Sequence, residues 1–428
     1  MRAILRAPSS FWSRSQSRFD ILFSYFSSSP SPSSQSPSSQ SPSSPSPSTM
    51  KDEYVETDVI ELNYTSPTPL TLESTLLLES PSITYNTYGT LCPYTRSNVI
   101  VVCHALTGNT LLESWWGDMV GPGKPLDTTD HFVVSVGLLG TVNGNTTGPT
   151  SQIPNTPNNE RYGKNFPDLS IRDSVNLQVQ MLKEHLNVKS VKTVIGGSFG
   201  GMQALEYMCT HGTSEESANS NFVRSGIPIA CGVRHSAWQI GISETQRQAI
   251  YNDQKWSDPY DFNDPPQSGL EVARQIAMVS YRTAMGFQHK FGRKKTTHFE
   301  RAQYGSETKW DVKSYLEYQG KKFTTRFDPL SYVKLTEVMD SHDVGRGRGG
   351  AAAALGAVKI PSLVLGISSD VLYPLYEQKE IYNLLGEPGE GCKVGKQLGV
   401  IESDDGHDAF LLEHKQVGDM VGEFLKQV

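Results

Sequence analysis

Residues 191–202 read Val-Lys-Thr-Val-Ile-Gly-Gly-Ser-Phe-Gly-Gly-Met, and the prediction of the fold starts from them. An apolar, β-rich stretch, Val191 to Ile195, leads into a Gly-x-Ser-x-Gly turn centred on Ser198, and a helix-like segment, Met202 to Met208, follows. Such an elbow holds its serine in a strained backbone conformation and needs small residues where strand and helix approach closely. The stretch predicts that Ser198 is a nucleophile. A plain Gly-rich turn between a strand and a helix is the alternative.

Short apolar runs bounded by turn residues recur before and after the elbow, and they are typical of strands buried in a parallel sheet. Helix-like stretches alternate with these runs, which predicts an α/β fold with a mostly parallel central sheet. The predicted strands are 98–103, 131–136, 191–195, 223–230, 362–366 and 398–402. The predicted helices between and after them are 171–186, 202–208, 375–385 and 417–426.

The alternation stops between residues 234 and 350, where the sequence becomes polar and helical. The clearest helical patterns there are Ser236 to Tyr251, Leu270 to Gly286 and Asp311 to Tyr318. An insertion after a central strand commonly forms a lid over the active site. The predicted organisation is therefore an α/β core made of 55–233 and 351–428, with a helical lid insertion at 234–350.

A nucleophilic serine needs a base within hydrogen-bond reach and a carboxylate that orients the base. In α/β enzymes with this elbow, the chain order is serine, then aspartate or glutamate, then histidine. Asp370 follows the predicted strand 362–366, and His407 follows the predicted strand 398–402. Both positions are carboxyl ends of strands, where the sites of α/β proteins form. The order and the context predict a catalytic triad of Ser198, Asp370 and His407.

Other acids and histidines compete for these two roles. For the carboxylate the competitors are Asp404, Asp405 and Asp408, and for the base they include His235 and His342, which lie in or beside the insertion. His104 follows an early predicted strand and fits better in a loop that supplies backbone donors. The combination of chain order and strand-end context favours His407 as the base. For the carboxylate, Asp370 is preferred, and Asp404, Asp405 and Asp408, which follow the last predicted strand, stay its main competitors.

The oxyanion of an acyl-transfer intermediate needs backbone N–H donors. The first predicted donor is the amide of Phe199, the residue after the nucleophile. The second is expected from the loop after an early strand, and the segment 103–109, Cys-His-Ala-Leu-Thr-Gly-Asn, occupies that place. The amide of Leu106 is therefore the second predicted donor.

Composition excludes several classes of function. The 428-residue chain carries a net charge of −7, which does not favour a general nucleic-acid surface. No apolar run reaches the ~18 residues of a membrane-spanning helix. The five cysteines are scattered and lack Cys-x-x-Cys spacing, which indicates a reducing compartment and argues against a zinc site or disulfide scaffold. One short basic cluster, at Lys290, Arg293, Lys294 and Lys295, is interpreted as a solvated loop.

The first 50 residues differ from the rest of the chain. Four arginines occur there with one acidic residue and interleaved apolar side chains, and residues 27–49 are almost wholly Ser, Pro and Gln. This composition is typical of an organellar transit segment followed by a disordered linker. We expect a mitochondrial protein or, if Met50 is the true start, a cytoplasmic one.

Together, these residues resemble the homoserine O-acetyltransferases, an acyltransferase family of the α/β-hydrolase superfamily, over about residues 62–421. The resemblance rests on several long motifs that occur in order. They are His-Ala-Leu-Thr-Gly at 104–108, Gly-Gly-Ser-Phe-Gly-Gly-Met-Gln-Ala-Leu-Glu at 196–206, Ser-Tyr-Leu-Glu-Tyr-Gln-Gly at 314–320, Ser-His-Asp-Val-Gly-Arg-Gly at 341–347, Ser-Asp-Val-Leu-Tyr-Pro at 369–374 and Gly-His-Asp-Ala-Phe-Leu at 406–411.

The resemblance implies an α/β-hydrolase fold and a ping-pong reaction of methionine biosynthesis. Ser198 would accept an acetyl group from acetyl-CoA, and the γ-hydroxyl of L-homoserine would then take it. His407 would act as the base in both half-reactions, and Asp370 would orient its imidazole. The resemblance implies no metal and no tightly bound cofactor, and it implies a homodimer formed through the insertion.

Three further residues resemble the family's amino-acid binders. Arg274 would pair with the homoserine carboxylate, Tyr281 would supply a hydroxyl partner, and Asp408 would hold the ammonium group. A guanidinium suits the first role because it can bind a carboxylate through two parallel hydrogen bonds. Without the resemblance, Arg274 reads as a solvated helix residue and Tyr281 as a packed aromatic.

Two segments depart from the family pattern, and both leave the acyl donor and acceptor open. Residues 137–149 are a looser form of the usual Gly-rich stretch, and residues 234–236 also vary among relatives. The alternatives are a serine O-acetyltransferase or O-succinyltransferase of cysteine biosynthesis, a homoserine O-succinyltransferase, or an esterase that uses water. One methylene separates serine from homoserine, which is worth only ~1–3 kcal/mol in a pocket. A catalytically silent binding module is disfavoured because the predicted triad is intact.

Overall fold

The computed structural model describes residues 61–142, 144–213, 221–298, 307–390 and 392–428. The predicted transit-like segment, residues 1–50, lies outside the described residues, as do the first residues of the predicted core.

The strands fall into one large sheet and three two-stranded pairs within the described residues. In chain order they are β1 (Leu62–Thr65), β2 (Leu70–Thr71), β3 (Leu77–Leu78), β4 (Ser82–Tyr88), β5 (Val99–Cys103), β6 (Val120–Gly121), β7 (Leu126–Asp127), β8 (Phe132–Val136), β9 (Val191–Gly197), β10 (Gly226–Ile229), β11 (Lys295–His298), β12 (Glu307–Trp310), β13 (Ser362–Ile367) and β14 (Lys396–Ile401).

The helices flank the large sheet or build the insertion. In chain order they are α1 (Glu113–Trp116), α2 (Ile171–Gln180), α3 (Phe199–His211), α4 (Ala237–Tyr251), α5 (Gln267–Tyr281), α6 (Ala284–Phe291), α7 (Asp311–Thr324), α8 (Pro329–Asp340), α9 (Ala351–Gly356), α10 (Leu375–Leu384), α11 (Ala409–Leu412) and α12 (His414–Gln427). None of the helices in the described part of the chain is long and apolar enough to span a membrane.

The large sheet has the order β1-β4-β8-β5-β9-β10-β13-β14 in the described part of the chain. The pairs from β8 through β14 are parallel, and β4 runs antiparallel to both of its neighbours. The predicted α/β fold with a mostly parallel sheet is therefore confirmed. The six predicted strands all lie in this sheet, whereas β1 and β4 at its antiparallel end were not predicted.

The central strands are buried on both faces, which explains their continuous apolar sequences. All five residues of β5 are inaccessible to solvent. Val99 and Val101 pack into the core on one face, while Ile100 and Val102 pack into the core on the other. This alternation follows from the two-residue period of a strand. Such a rigid, doubly covered sheet fixes the loops at its carboxyl edge, where the site lies.

The insertion leaves the core after β10 and returns before β13. Its two ends are joined at its base, where the amide of His235 donates to the carbonyl of His342 at 2.9 Å and that of Val344 to the carbonyl of Val233 at 3.0 Å. Five helices, α4 to α8, lie between these ends in the described residues. The hairpin of β11 and β12 also lies there, which the helical prediction for the insertion did not include.

One predicted helix of the insertion, Leu270 to Gly286, is divided in two. The first helix, α5, ends at Tyr281, and both Arg282 and Thr283 adopt extended backbone conformations. The Thr283 hydroxyl then caps α6 by accepting from the amide of Gly286 at 2.8 Å. Because threonine at an N-cap satisfies a donor of the new helix, a break is stable where apolar spacing alone predicted continuity.

Candidate active site

Ser198 occupies the sharp turn between β9 and α3. Its backbone has φ 57° and ψ −121°, a conformation that costs a non-glycine residue about 1–3 kcal/mol. Two hydrogen bonds hold it there: its own amide donates to the carbonyl of Ile229 on β10 at 2.9 Å, and the amide of Met202 donates to its carbonyl at 3.1 Å. The surrounding structure therefore forces the conformation that the elbow sequence predicts.

Two glycines of the elbow are required by close backbone approach. A Cβ atom on Gly200 would overlap the carbonyl oxygen of Cys103, at the end of β5. A Cβ atom on Gly196 would overlap the backbone of Gly200. Any larger residue would push α3 away from the sheet and move Ser198 with it.

The predicted triad residues lie in one hydrogen-bonded row, although they come from three distant parts of the chain. The Oγ of Ser198 lies 2.8 Å from Nε2 of His407, and Nδ1 of His407 lies 2.6 Å from Oδ2 of Asp370. All three residues are buried. This geometry lets His407 accept the serine proton on one nitrogen while Asp370 fixes the tautomer through the other.

Asp370 is itself oriented by the backbone. Its second oxygen, Oδ1, accepts from the amides of Leu372 at 2.8 Å and Tyr373 at 2.9 Å. Burial alone would lower the pKa of His407, but the charge and hydrogen bond of Asp370 more than offset it and hold that pKa above its ordinary value. The base is thus held beside the nucleophile by a carboxylate whose own position is fixed.

The two predicted oxyanion donors lie at the start of α3 and in the loop after β5. Phe199 is the first residue of α3, so its amide has no acceptor within the helix. Leu106 lies in the turn after β5, which the amide of Gly108 closes by donating to the carbonyl of Ala105 at 2.9 Å. The side chain of Gln203 donates from Nε2 to the carbonyl of His104 at 3.2 Å, and this bond ties the turn to α3.

Arg274 and Tyr281 lie on α5 of the insertion, and the structure brings both close to the triad. The Tyr281 ring lies 5.9 Å from the His407 ring, and the Arg274 guanidinium lies 5.8 Å from the Tyr281 ring and 5.0 Å from the Phe323 ring. In the described part of the chain, Nη1 of Arg274 is enclosed and has no hydrogen-bond partner. A buried, unpaired N–H of a cation is costly, and a carboxylate ligand would satisfy it.

Asp408 follows His407 directly and faces the same space. Burial raises its pKa, while the positive charges of Arg282, His407 and Arg274 act in the opposite direction. The charge of Asp408 in turn raises the pKa of Tyr281, which is raised mainly by burial and lowered in part by Arg274. A cation and a carboxylate therefore both lie near Tyr281, next to the triad.

A family model described as the α/β hydrolase fold matches residues 98–414. A homoserine O-acetyltransferase of Salinibacter ruber is 44% identical over 358 residues, which cover 83% of this chain and 95% of that protein. The chain belongs to the homoserine O-acetyltransferase family.

Solved structures share the fold. The homoserine O-acetyltransferase of Bacillus anthracis superposes with a TM-score of 0.72 at 22% identity, covering 86% of this chain and 97% of that one. Esterase E22 superposes equally well, with a TM-score of 0.72 at 23% identity, covering 86% of this chain and all of that one. At these identities the similarity concerns the fold alone, so the fold does not distinguish transfer from hydrolysis.

In this member of the homoserine O-acetyltransferase family, Arg282 is a site residue that the sequence reasoning missed. Its Nη1 lies 2.5 Å from Oδ1 of Asp405, and its Nε lies 3.0 Å from Oδ2 of Asp408. These contacts pair Asp405 with Arg282, while Asp370 is the carboxylate bonded to His407, and they join the end of α5 to the loop that carries the base. Its only signal in the sequence was its position directly after Tyr281.

The competing histidines of the sequence analysis do not reach Ser198. His235 contacts the Tyr373 hydroxyl through Nδ1 at 3.0 Å, and burial lowers its pKa to about 3. His342 contacts the carbonyl of Gly232 through Nε2 at 3.0 Å, and burial lowers its pKa to about 4. Both imidazoles are neutral structural groups at the base of the insertion.

A large cleft of about 1160 Å³ lies at the other edge of the sheet and contains no triad residue. Its lining includes His131 and Lys192, which lie where β8 and β9 begin, whereas Ser198 follows the end of β9. In the described part of the chain, no group of three or more His, Cys, Asp or Glu side chains could hold a metal ion.

Proposed function

We propose that this protein is a homoserine O-acetyltransferase of methionine biosynthesis, which transfers acetyl from acetyl-CoA to the γ-hydroxyl of L-homoserine. The observation that carries the proposal is the joint placement of a complete serine triad and of two opposite charges, Arg274 and Asp408, around Tyr281. A free amino acid carries a carboxylate and an ammonium group, and this pair of charges matches both.

In the first half-reaction, Oγ of Ser198 attacks the thioester carbonyl of acetyl-CoA while Nε2 of His407 takes the serine proton. The amides of Phe199 and Leu106 stabilise the oxyanion of the tetrahedral intermediate. The C–S bond then breaks, and His407 gives its proton to the departing sulfur, so that CoA leaves as the free thiol. An acetyl ester of Ser198 remains.

In the second half-reaction, Arg274 binds the homoserine carboxylate, Asp408 binds its ammonium group, and the Tyr281 hydroxyl assists in positioning the substrate. The γ-hydroxyl gives its proton to Nε2 of His407 and attacks the acetyl-serine carbonyl. Asp370 stabilises the imidazolium in both half-reactions. When the intermediate collapses, the bond between the acetyl carbon and Oγ of Ser198 breaks and His407 returns its proton to Oγ. O-acetylhomoserine is released and Ser198 is restored, so no metal or tightly bound cofactor is needed.

The decisive experiment compares initial rates for purified residues 50–428. Acetyl-CoA or succinyl-CoA is paired with L-homoserine, L-serine or no acceptor, and the release of free CoA is followed. We expect fast turnover only with acetyl-CoA and homoserine. A preference for serine would move the enzyme to cysteine biosynthesis with the same residues, and release that does not depend on an acceptor would make water the true acceptor.

A homodimer formed through the insertion is part of this proposal. Val272 and Val279 lie seven residues apart on α5, hence on one face of the helix, and their exposed fractions are 47% and 55%. Met285 on α6 is also 55% exposed. Apolar side chains on one outer surface favour burial against a second copy. Sedimentation velocity should give a dimer, and Val272→Glu with Val279→Glu should give a monomer.

We also propose that residues 1–50 direct the protein to mitochondria, on the basis of their composition alone. Import of the full-length protein into isolated mitochondria should give a shortened, protease-protected product. A chain that begins at Met50 should remain outside. Equal protection of both proteins would contradict the proposed signal.

A further inference from the structure

Four basic residues lie close together at the outer end of α6 and in the segment that follows it. They are Lys290, Arg293, Lys294 and Lys295, and we refer to them as the basic arm. All four are exposed, and none has a carboxylate oxygen within 4 Å in the described part of the chain. Within the described residues, no carboxylate balances this accumulation of like charge, which the interpretation as a solvated loop does not explain.

Aromatic rings contact three of these four cations. The Arg293 guanidinium lies 4.9 Å from the centre of the Trp310 ring, and Nζ of Lys295 lies 4.2 Å from the same centre. Nζ of Lys290 lies 4.5 Å from the Tyr315 ring. Contacts of this kind are attractive for a cation. They also keep like charges close together, so the arm is pre-organised for a ligand that carries several negative charges.

The basic arm is linked to the active site by α6. The helix is capped by Thr283, whose hydroxyl donates to the carbonyl of Asp404 in the loop of His407. Its eight residues span about 12 Å, and the basic arm begins at its far end. The charges of the site still act on Lys290. Its pKa is lowered by burial and by Arg282, and Asp405 and Asp408 oppose this shift in part.

We propose that the basic arm binds the phosphate groups of the coenzyme A moiety of the acyl donor. This inference rests on the proposed function. Coenzyme A carries a diphosphate and a 3′-phosphate at one end of a long pantetheine arm and the reactive thioester at the other. The pantetheine part of coenzyme A is longer than helix α6. The phosphates of a bound donor can therefore reach the basic arm of the protein while the thioester lies at Ser198. Lysine and arginine are the side chains that bind phosphate most strongly.

The test separates the phosphates from the rest of the donor. Arg293→Gln with Lys295→Gln removes two charges, and steady-state kinetics are compared for acetyl-CoA and for S-acetylpantetheine, which has no phosphates. We expect the KM for acetyl-CoA to rise about 10-fold or more, because charged hydrogen bonds are lost. The KM values for S-acetylpantetheine and homoserine, and kcat, should stay unchanged. Arg293→Lys with Lys295→Arg should restore the acetyl-CoA KM.

A matched control removes two exposed lysines elsewhere, Lys379→Gln and Lys393→Gln, and should leave the acetyl-CoA KM unchanged. A second pair, Lys290→Gln with Lys294→Gln, provides an independent test of the same arm. Added salt should raise the acetyl-CoA KM more steeply for the wild type than for either variant.

The two proposals fail in different ways. If the wild type forms no O-acetylhomoserine, the proposed function is wrong. If the wild type is active and both pairs of variants keep its acetyl-CoA KM, the basic arm does not bind the donor. Equal rises in KM for acetyl-CoA and S-acetylpantetheine would also overturn the inference, since the phosphates would then play no part.

Discussion

The triad lies wholly on the α/β core, whereas Arg274 and Tyr281 lie on helix α5 of the insertion. In the triad, each polar side-chain group has a partner: His407 contacts Ser198 and Asp370 through its two nitrogens, and Asp370 uses one oxygen for His407 and the other for two backbone amides. On the insertion, Nη1 of Arg274 is enclosed without a hydrogen-bond partner in the described part of the chain. The triad therefore has its hydrogen bonds without a ligand, whereas Arg274 has an unpaired N–H that a bound carboxylate would satisfy.

This difference suggests a division of roles: the core performs the acyl transfer, and the insertion selects the molecule that accepts the acetyl group. A triad that is hydrogen-bonded before substrate arrives can attack any acyl group placed at the elbow. The fold that carries it is shared with proteins named esterases, so the core does not determine whether water or an amino acid takes the acetyl group. We expect core substitutions to abolish both half-reactions and insertion substitutions to weaken one substrate.

The largest effect is expected from Ser198→Ala. Loss of the nucleophile removes the acyl-enzyme route, so kcat should fall by about 10⁵-fold or more. Intact-protein mass spectrometry after exposure to acetyl-CoA should show the acetyl adduct in the wild type and not in the variant. The thermal midpoint should change little, because alanine keeps the Cβ atom and the same backbone conformation and loses only the side-chain hydrogen bond to His407. An acetyl adduct that persists in the variant would refute the role of Ser198.

Asp370→Asn should lower kcat by about 10³- to 10⁴-fold, because the amide no longer fixes the tautomer or stabilises the imidazolium. His407 acts as a base only when neutral, so kcat/KM should rise as pH increases through its pKa. Asp370 holds that pKa above the ordinary value, and without it burial is largely unopposed. The acidic limb of the profile should therefore move to lower pH. A limb that stays in place would show that another group titrates.

Arg274→Ala tests the insertion side of the comparison. We expect the homoserine KM to rise about 10- to 100-fold, because the variant loses a hydrogen bond between two charged groups. The acetyl-CoA KM should change little. Arg161→Ala is the matched control, because Arg161 also lies over an aromatic ring, Phe262, at 4.9 Å, but on the exposed surface. Equal rises for both substrates would contradict the assignment of Arg274.

Glu206→Gln should affect stability and leave catalysis nearly unchanged. Glu206 on α3 pairs with Arg172 at 2.7 Å and Arg348 at 2.9 Å. Burial raises its pKa, but the two arginines more than offset burial and lower it to about 2. A lowered carboxyl pKa stabilises the folded state above the unfolded value of 4.5, and this contribution is lost as pH falls toward 2.

The shift corresponds to about 3 kcal/mol of unfolding free energy at neutral pH. Denaturant unfolding should show this loss in Glu206→Gln at pH 7 and a smaller difference from the wild type below pH 4.5. Activity per folded molecule should match the wild type. Asp419→Asn, which breaks the exposed pair with Lys415, is the control and should leave the unfolding midpoint unchanged. A loss that does not vary with pH would mean that the packing of Glu206, not its charge, matters.

The sequence predicted the parallel part of the sheet well, because strands buried on both faces are continuous apolar runs between turn residues. It missed β1 and β4, where the antiparallel end mixes polar and apolar residues. It also joined α5 and α6 into one helix, because apolar spacing continues across the break. The cap at Thr283 that divides them is a local hydrogen bond that periodicity does not reveal.

For the site, the sequence indicated Ser198 from its elbow and Asp370 and His407 from chain order and strand ends. The structure brings these three together, and their catalytic roles stay predictions, as do those of Leu106 and Phe199. Arg282 could not have been found in this way. Its importance depends on meeting Asp405 and Asp408, which lie more than 120 residues further along the chain.

The sequence by itself determined the elbow and the parallel strands: a strained serine between a strand and a helix needs glycines around it, and buried strands need apolar residues on both faces. These are local constraints, set by sterics and by the two-residue period of a strand. Only the tertiary structure decided which charges face one another. Arg274 and Asp408 lie far apart in the chain but close enough in the fold for their charges to interact, and electrostatic interactions depend on distance in space.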